Sequence, residues 1–293
     1  RTALRRRHTL GQGGAWILLF GIIGGDRRQE VLLDLLRKDG YPAAAYGVAG
    51  EADWENAVTA EVVILPLPLC REGDTLNMEG EQRGVGALLH RLHRDQLILA
   101  GQVKPAQRTE ALELDLNLID YFKREELTVA NAAATAEGTI QVVLEHLERS
   151  LLGSRCLILG YGRIGKLLSC RLAALGAQVT VAARRPESRA WAEAYGHKAL
   201  DIGRLEGELN HFDVVVNTVP APVFGETHLR ELRPGCLCVD VASVRGIDLP
   251  AAETLGLPNV WARALPGKLM PETAGKIIRD TVYTIIKEQG VTL

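Results

Sequence analysis

A chain of 293 residues is long enough for two domains of ordinary size, and a composition 47% hydrophobic and 24% charged belongs to packed cores rather than to disorder. A net charge of −2 with a pI of about 6.4 gives no reason to expect nucleic acid or an anionic membrane surface as the partner. No stretch reaches the ~18 apolar residues that read as a membrane span. The five cysteines (Cys70, Cys156, Cys170, Cys236, Cys238) show no CxxC spacing, so they read as thiols of a reducing cytosol, with no metal expected.

Residues 1–12 are expected to be a loose tail. Trp16–Ile23 reads as a buried strand, followed by a glycine turn and a helix with Val31, Leu32, Leu35 and Leu36 on one face. Asp26, Arg27 and Arg28 fall at that helix's N-terminus, where they either cap it and stay solvated or meet a small anionic substrate. Short apolar runs at 46–49, 61–66 and 96–101 alternate with helical or loop segments, the pattern of a parallel sheet with crossover helices. Residues 70–86, rich in glycine and charge, are expected to form a long loop or lid at the sheet's carboxyl edge.

Leu127–Asn131 reads as the strand that closes the first unit. A connector helix follows from Ala132 to Leu152, with Ile140, Val143, Leu144, Leu147 and Leu151 as its stripe and Gly153 as its stop. Its first turn would then carry Thr135–Gly138, so Glu137 either favours the helix's positive end or faces substrate or nicotinamide.

The stretch from Cys156 to Leu168 is the most informative in the chain. An apolar strand stops at Gly160-Tyr-Gly162-Arg163-Ile164-Gly165, and helical periodicity starts at once. This is a dinucleotide fingerprint in its proper setting: Gly160 for the tight turn, Gly162 for the approach of a pyrophosphate, Gly165 for close packing of helix on strand. The next strand, Gln178–Ala183, ends without the acidic residue that usually meets the ribose of NAD, roughly 20 residues past the fingerprint. It runs instead into Arg184-Arg185, which offers two guanidinium groups to a 2′-phosphate and predicts NADP(H) as cofactor.

Three further strands, at 213–220, 235–243 and 259–266, belong to an expected six-strand dinucleotide domain. Asn217, Thr218, Val219 and Pro220 should lie along the cofactor. Ser243, Arg245 and Lys268 fall on loops at the same edge, and Arg245 is the preferred cation for a substrate carboxylate. From Pro271 an amphipathic helix with Ile277, Ile278, Val282, Ile285 and Ile286 needs an apolar surface, which the first domain supplies most simply.

The expected architecture is therefore α/β: two Rossmann-like domains with parallel sheets, joined by a long connector helix, with the C-terminal helix returning to the first domain. Its parts are an N-terminal substrate domain over 13–130, the connector over 131–152, the NADP-binding domain over 153–270 and the returning helix over 271–293. The cofactor's reactive ring would be aimed into a crevice between the two lobes.

Read together, Ile22–Gln29, Ile64–Pro66, Asn131 with Thr135–Ile140, Leu159–Gly165, Asn217–Pro220, Leu265–Gly267 and Thr273–Gly275 resemble the family of the dipicolinate synthase A subunit over nearly the whole chain from about Trp16. That resemblance implies an NADP-dependent, cytoplasmic enzyme of the mother cell of a sporulating bacterium. It would oxidise dihydrodipicolinate to pyridine-2,6-dicarboxylate, its partner would be a flavoprotein-like B subunit, and a homo-oligomer is expected. Arg245, Lys268 and Arg27 are then candidate cations for the two carboxylates, Glu137 the candidate base, and Asp26 or water the alternatives. The layout is also similar to that of D-2-hydroxyacid dehydrogenases. Those enzymes place a histidine before the last helix, where this chain has Pro271-Glu272-Thr273-Ala274-Gly275. Oxidation of another small carboxylate, such as a 2-hydroxy acid, and a non-catalytic NADP(H)-binding scaffold are the competing readings. None of the seven histidines is assigned a role.

Overall fold

The structure is a computed structural model that describes residues 18–291 and Leu293. The expected tail, and Trp16 at the start of the first predicted strand, lie outside those residues.

In chain order the elements are β1 (Phe20–Ile23), α1 (Arg27–Lys38), β2 (Ala43–Val48), β3 (Glu51–Ala52), α2 (Trp54–Thr59), β4 (Val62–Ile64), α3 (Val85–Leu89), β5 (Leu97–Ala100), α4 (Pro105–Glu113), β6 (Asn117–Asp120) and α5 (Glu125–His146). They continue with β7 (Arg155–Leu159), α6 (Arg163–Ala174), β8 (Gln178–Ala183), α7 (Pro186–Ala194), β9 (Lys198–Asp201), β10 (Val214–Asn217), α8 (Glu226–Glu231), β11 (Leu237–Asp240), α9 (Leu249–Thr254), β12 (Asn259–Trp261), α10 (Leu265–Leu269) and α11 (Pro271–Glu288). The chain divides into two compact units, one made of Arg1–Ala130 with Pro271–Leu293 and the other of Asn131–Met270. The long helix α5 passes from the first into the second, and α11 returns to the first.

Unit 1 carries a six-stranded sheet in the order β3-β2-β1-β4-β5-β6, parallel except for the β2–β3 pair. Every residue of β1, β4 and β5 is buried, as expected of strands covered on both faces. On one face α1 and α11 pack with Leu32, Leu33, Leu36, Ile278, Val282, Ile285 and Ile286 in a single core. Each such side chain contributes about 1.5–3 kcal/mol of burial. Gly275 allows the close approach of the two helices, since a Cβ there would stand 2.7 Å from Val31 Cγ1.

One expectation for unit 1 is corrected. Leu127–Asn131 is helical, and the closing strand is Asn117–Asp120, which pairs in parallel with β5 from Leu97↔Asn117 to Ala100↔Asp120. The helix therefore starts at Glu125 and ends at His146, several residues earlier at each end than periodicity suggests, so Thr135–Gly138 lie well inside it. The 70–86 segment is packed into the unit. Leu76, Asn77 and Met78 are buried, Asn77 N donates to Leu69 O at 2.9 Å, Gly25 N donates to Asn77 O at 2.6 Å, and Thr75 bridges to Gly84.

Unit 2 has a fully parallel six-stranded sheet in the order β12-β11-β10-β7-β8-β9. The sixth strand is the short β9. The order reverses between β7 and β10, which is the switch point where doubly wound sheets open a crevice at their carboxyl edge. Cores fill both faces, with Leu168 and Leu172 of α6 on one and Leu229, Ala252 and Phe224 on the other. Cys236 and Cys238 are buried in the second, whereas Cys170 is exposed on α6. Among the described residues no helix is long and apolar enough to cross a membrane.

A nucleotide groove at the carboxyl edge of unit 2

The fingerprint turn lies at the switch point. Gly160 follows β7 with φ +95°, a left-handed conformation that favours glycine, and a Cβ there would meet Thr218 Oγ1 at 2.7 Å. Gly165 lies against the turn, where a Cβ would be 2.3 Å from the Gly160 carbonyl oxygen. Gly162, the N-cap of α6, has nothing within 4 Å of a Cβ position and faces open space. Two glycines are thus fixed by packing and the third by a space that the protein leaves clear. The first intrahelical bond of α6 runs from Lys166 N to Gly162 O at 3.0 Å, so the helix opens on amides directed along its axis.

A groove of about 420 Å³ runs over this turn. It is lined by Gly160, Tyr161, Gly162, Arg184, Arg185 and Ser188, with Val219, Pro220 and Val223 on the β10 side. Both arginines are exposed at the head of α7, Arg185 beside Glu187 at 3.4 Å, and none of the described residues lining the groove is acidic. Asp201, at the end of β9 and next to the groove residue Ile202, is engaged elsewhere: it accepts from Gly203 N at 3.0 Å and pairs with Arg189 at 3.2 Å. A turn of glycines at a helix N-terminus, leading to two exposed cations, fits a dinucleotide phosphate chain. A larger depression of about 580 Å³ lies at the amino ends of β7, β8 and β9, around Arg155, Gln178 and Lys198. That is the edge opposite the fingerprint, where parallel sheets do not present ligand loops.

Of the residues expected at the cofactor, Gly160, Gly162, Arg184, Arg185, Val219 and Pro220 line this groove. Arg163 and Ile164 open α6, and Gly165 packs beneath the turn. Thr218 Oγ1 donates to Leu159 O at 2.9 Å and ties β10 to the end of β7, while Asn217 is fully buried and brackets Val219 with hydrogen bonds of 2.9 and 3.0 Å.

Residues expected at the substrate are less concentrated. Arg245 lines a second groove of about 530 Å³, with Phe224, His228, Gly246 and Asp248, which shares Val223 with the first. Its guanidinium lies 4.1 Å from the centre of the Trp261 ring, and Arg263 lies at the same distance from that ring. Trp261 is itself fixed by Nε1 donating to Ala242 O at 3.1 Å. Ser243 and Lys268 are exposed and line neither groove. Glu137 projects from the middle of α5, not from its first turn, and pairs with Arg171 at 3.4 Å on an exposed face. The helix-end reading of Glu137 therefore fails.

In unit 1, Asp26 is the N-cap of α1 and forms a capping box with Gln29. The expected solvated arginine at 28 is instead buried, donating to both Asp26 carboxylate oxygens and to the Leu67 carbonyl. Burial alone would raise the Asp26 carboxyl, but hydrogen bonds from Arg28 and its charge override this and hold it below the ordinary value. A carboxylate so committed is a poor proton acceptor, so Asp26 is removed as a candidate base. Arg27 points to solvent, 73% exposed and 3.7 Å from Glu30.

Sequence reasoning misses Asp240, whose side chain orders the loop carrying Ser243 and Arg245; an aspartate after an apolar strand reads as a turn residue, and nothing nearby marks it as buried. It also misses Ser188, Trp261 and Arg263.

Comparison with known proteins follows the same division. Residues 19–122 match the N-terminal domain of the dipicolinate synthase A subunit, and residues 122–251 match the NAD-binding domain of D-isomer-specific 2-hydroxyacid dehydrogenases. The dipicolinate synthase A subunit of Bacillus subtilis (strain 168) is 28% identical over 261 residues, covering 82% of this chain and 86% of that protein. The chain resembles the A subunit of dipicolinate synthase. The crystal structure of that subunit from Bacillus halodurans superposes with a TM-score of 0.81 at 26% identity, over 92% of this chain and 97% of that one. The corresponding crystal structure from Bacillus subtilis gives 0.82 at 25%, over 96% and 99%. D-Lactate dehydrogenase from Escherichia coli, at 15% identity and a TM-score of 0.61 over 94% of this chain and 98% of that one, shares the fold alone. Unit 2 is thus a dehydrogenase-type, nicotinamide-nucleotide-binding domain, which makes the chain an oxidoreductase, and the chain as a whole is similar to the dipicolinate synthase A subunit.

Proposed function

We propose that this chain is the NADP-dependent subunit that oxidises dihydrodipicolinate to pyridine-2,6-dicarboxylate, acting with a B subunit. The observation that carries the cofactor assignment is the end of β8: Ala183 stands where an acid would select NAD, and Arg184, Arg185 and Ser188 line the groove just beyond it. Likeness along most of the chain to the dipicolinate synthase A subunit supports the substrate assignment.

The oxidised nicotinamide, when bound, supplies the hydride acceptor. The protein's own part is binding and orientation. The Gly160–Gly165 turn and the N-terminus of α6 receive the pyrophosphate, and Arg184 and Arg185 grip the 2′-phosphate. Val219 and Pro220 pack along the cofactor. Arg245 and Lys268 are the cations for the two substrate carboxylates, with Arg245 held over the Trp261 ring and its guanidinium suited to bidentate contact. Ser243 contributes a hydroxyl from the same loop. One ring carbon loses a hydride, its neighbour loses a proton, and the ring becomes aromatic. Glu137 is the side chain proposed to take that proton, and no alcohol has to be deprotonated. That matches a last helix that opens on Pro271–Gly275 without a histidine.

The test is NADP+ reduction with freshly made dihydrodipicolinate, with and without the B subunit, beside fluorescence titrations with NADPH and NADH. Formation of dipicolinate with tighter NADPH binding is expected. Tighter NADH binding would overturn the cofactor assignment. Binding without turnover under both conditions would leave a nucleotide-binding scaffold.

A further inference from the structure

The carboxylate of Asp240 is fully buried at the end of β11, beside its register partner Asn217 at the end of β10. One oxygen accepts from Asn217 Nδ2 and Ala242 N, both at 3.0 Å; the other accepts from Gly246 N at 2.7 Å and Ile247 N at 2.9 Å. Asn217 passes the connection on by its two bonds to Val219. The loops after the two strands are also joined directly: Val223 N and Phe224 N donate to Gly246 O at 2.9 Å, and Asp248 N donates to Phe224 O at 3.0 Å. At the crossing the fit is tight, since a Cβ on Gly246 would lie 2.3 Å from Asn217 Nδ2.

One of these loops, through Val219, Pro220, Ala221 and Val223, forms a wall of the nucleotide groove. The other carries Ser243 and Arg245. We propose that Asp240 is a positioning residue that makes the two loops a single body, so that nucleotide seated against Val219 and Pro220 also fixes Arg245. For catalysis this rests on Arg245 being the substrate cation proposed above; the mechanical coupling does not depend on that assignment. Replacing Asp240 by Asn tests it closely. Whichever way the amide turns, its NH2 confronts two donors, either Gly246 and Ile247 or Asn217 and Ala242.

Hydrogen exchange should be followed in segments 217–224 and 242–248, with and without NADPH, in the wild type and in Asp240→Asn. In the wild type NADPH should slow exchange in both segments by about tenfold or more. In Asp240→Asn the first segment should keep its response and the second should lose it. Turnover per folded molecule should fall about tenfold or more while the NADPH Kd stays within roughly threefold. Nucleotide protection confined to 217–224 in the wild type would overturn the proposal, as would an Asp240→Asn variant with a wild-type response at 242–248. If the variant does not fold, the wild-type comparison decides. If the wild type oxidises no dihydrodipicolinate, the functional reading fails, and the exchange comparison still decides the coupling.

Discussion

Arg189 donates through one nitrogen to the carbonyls of both Ala183 and Arg184, at 2.9 Å each, and pairs through the same nitrogen with Asp201 at 3.2 Å. The turn that presents Arg184 and Arg185 is therefore held from behind by a third arginine from the second turn of its own helix. Arg189→Ala removes that support without touching the groove lining. NADPH binding should weaken by roughly fivefold, the equivalent of about 1 kcal/mol for the lost bonds. Asp201→Asn should do less, because the ion pair itself is partly exposed to solvent. Titration of both variants with NADPH orders the two effects.

The arginine pair should discriminate between the two nicotinamide nucleotides. Charge-assisted bonds of about 1.5–3 kcal/mol each predict that Arg184→Ala with Arg185→Ala raises the NADPH Kd by tenfold or more and leaves NADH nearly unchanged. The NADPH affinity of the wild type should fall with added salt more steeply than that of the double variant.

Gly162 and Gly165 should fail in different ways. Gly165→Ala drives a methyl into the Gly160 carbonyl, 2.3 Å away, and overpacking of this kind costs about 1–3 kcal/mol. Thermal unfolding should show the loss directly. Gly162→Ala meets no protein atom within 4 Å, so its stability should stay within about 1 kcal/mol of wild type. Nucleotide binding should still be lost, because the methyl would occupy the path proposed for the pyrophosphate.

Asp26 makes stability depend on pH at the acid end. Its carboxyl is held below its ordinary value near 3.8, so its contribution is full above that value and is lost as pH falls through the lower folded value. Urea unfolding should therefore find Asp26→Asn less stable than wild type at pH 6, with the gap closing toward pH 2. A gap that widened on acidification would contradict the assignment of the Arg28 pair.

The returning helix should be indispensable to unit 1. Ile285 is 1% exposed in the core shared by α1 and α11, and Ile285→Ala should cost about 2–5 kcal/mol in urea unfolding.

What can be read from the chain alone are features whose cause is local. The fingerprint is legible because its glycines answer a turn and a helix contact within a few residues, and α11 is legible because its apolar stripe is long and regular. The strand Asn117–Asp120 escapes pattern reading because half of it is polar: Asp120 is there to accept from Gln102 N, Val103 N and Phe122 N, partners that pattern does not reveal. Leu127–Asn131 reads wrongly as a strand because Thr128 and Val129 favour strands, and the tertiary placement of α5 overrides that preference. Residues 70–86 read as a long loop or lid from their glycines and charges; they form a loop up to Gly84, and Leu76 and Met78, which that reading passes over, anchor it in the core of unit 1. Asp240 gives no signal, since its importance lies in amides contributed by neighbouring backbone.

Unit 1 is made from both ends of the described chain, and this sets an order for events on the ribosome. Unit 2 is complete as soon as residues 131–270 have emerged. The earlier-made strands and α1 must wait for α11, with Leu32, Leu33 and Leu36 lacking their cover. At ordinary translation speeds that interval is roughly 10–30 s. Of the two units, the one begun earlier is the last to close, and it is where a chaperone would find this polypeptide.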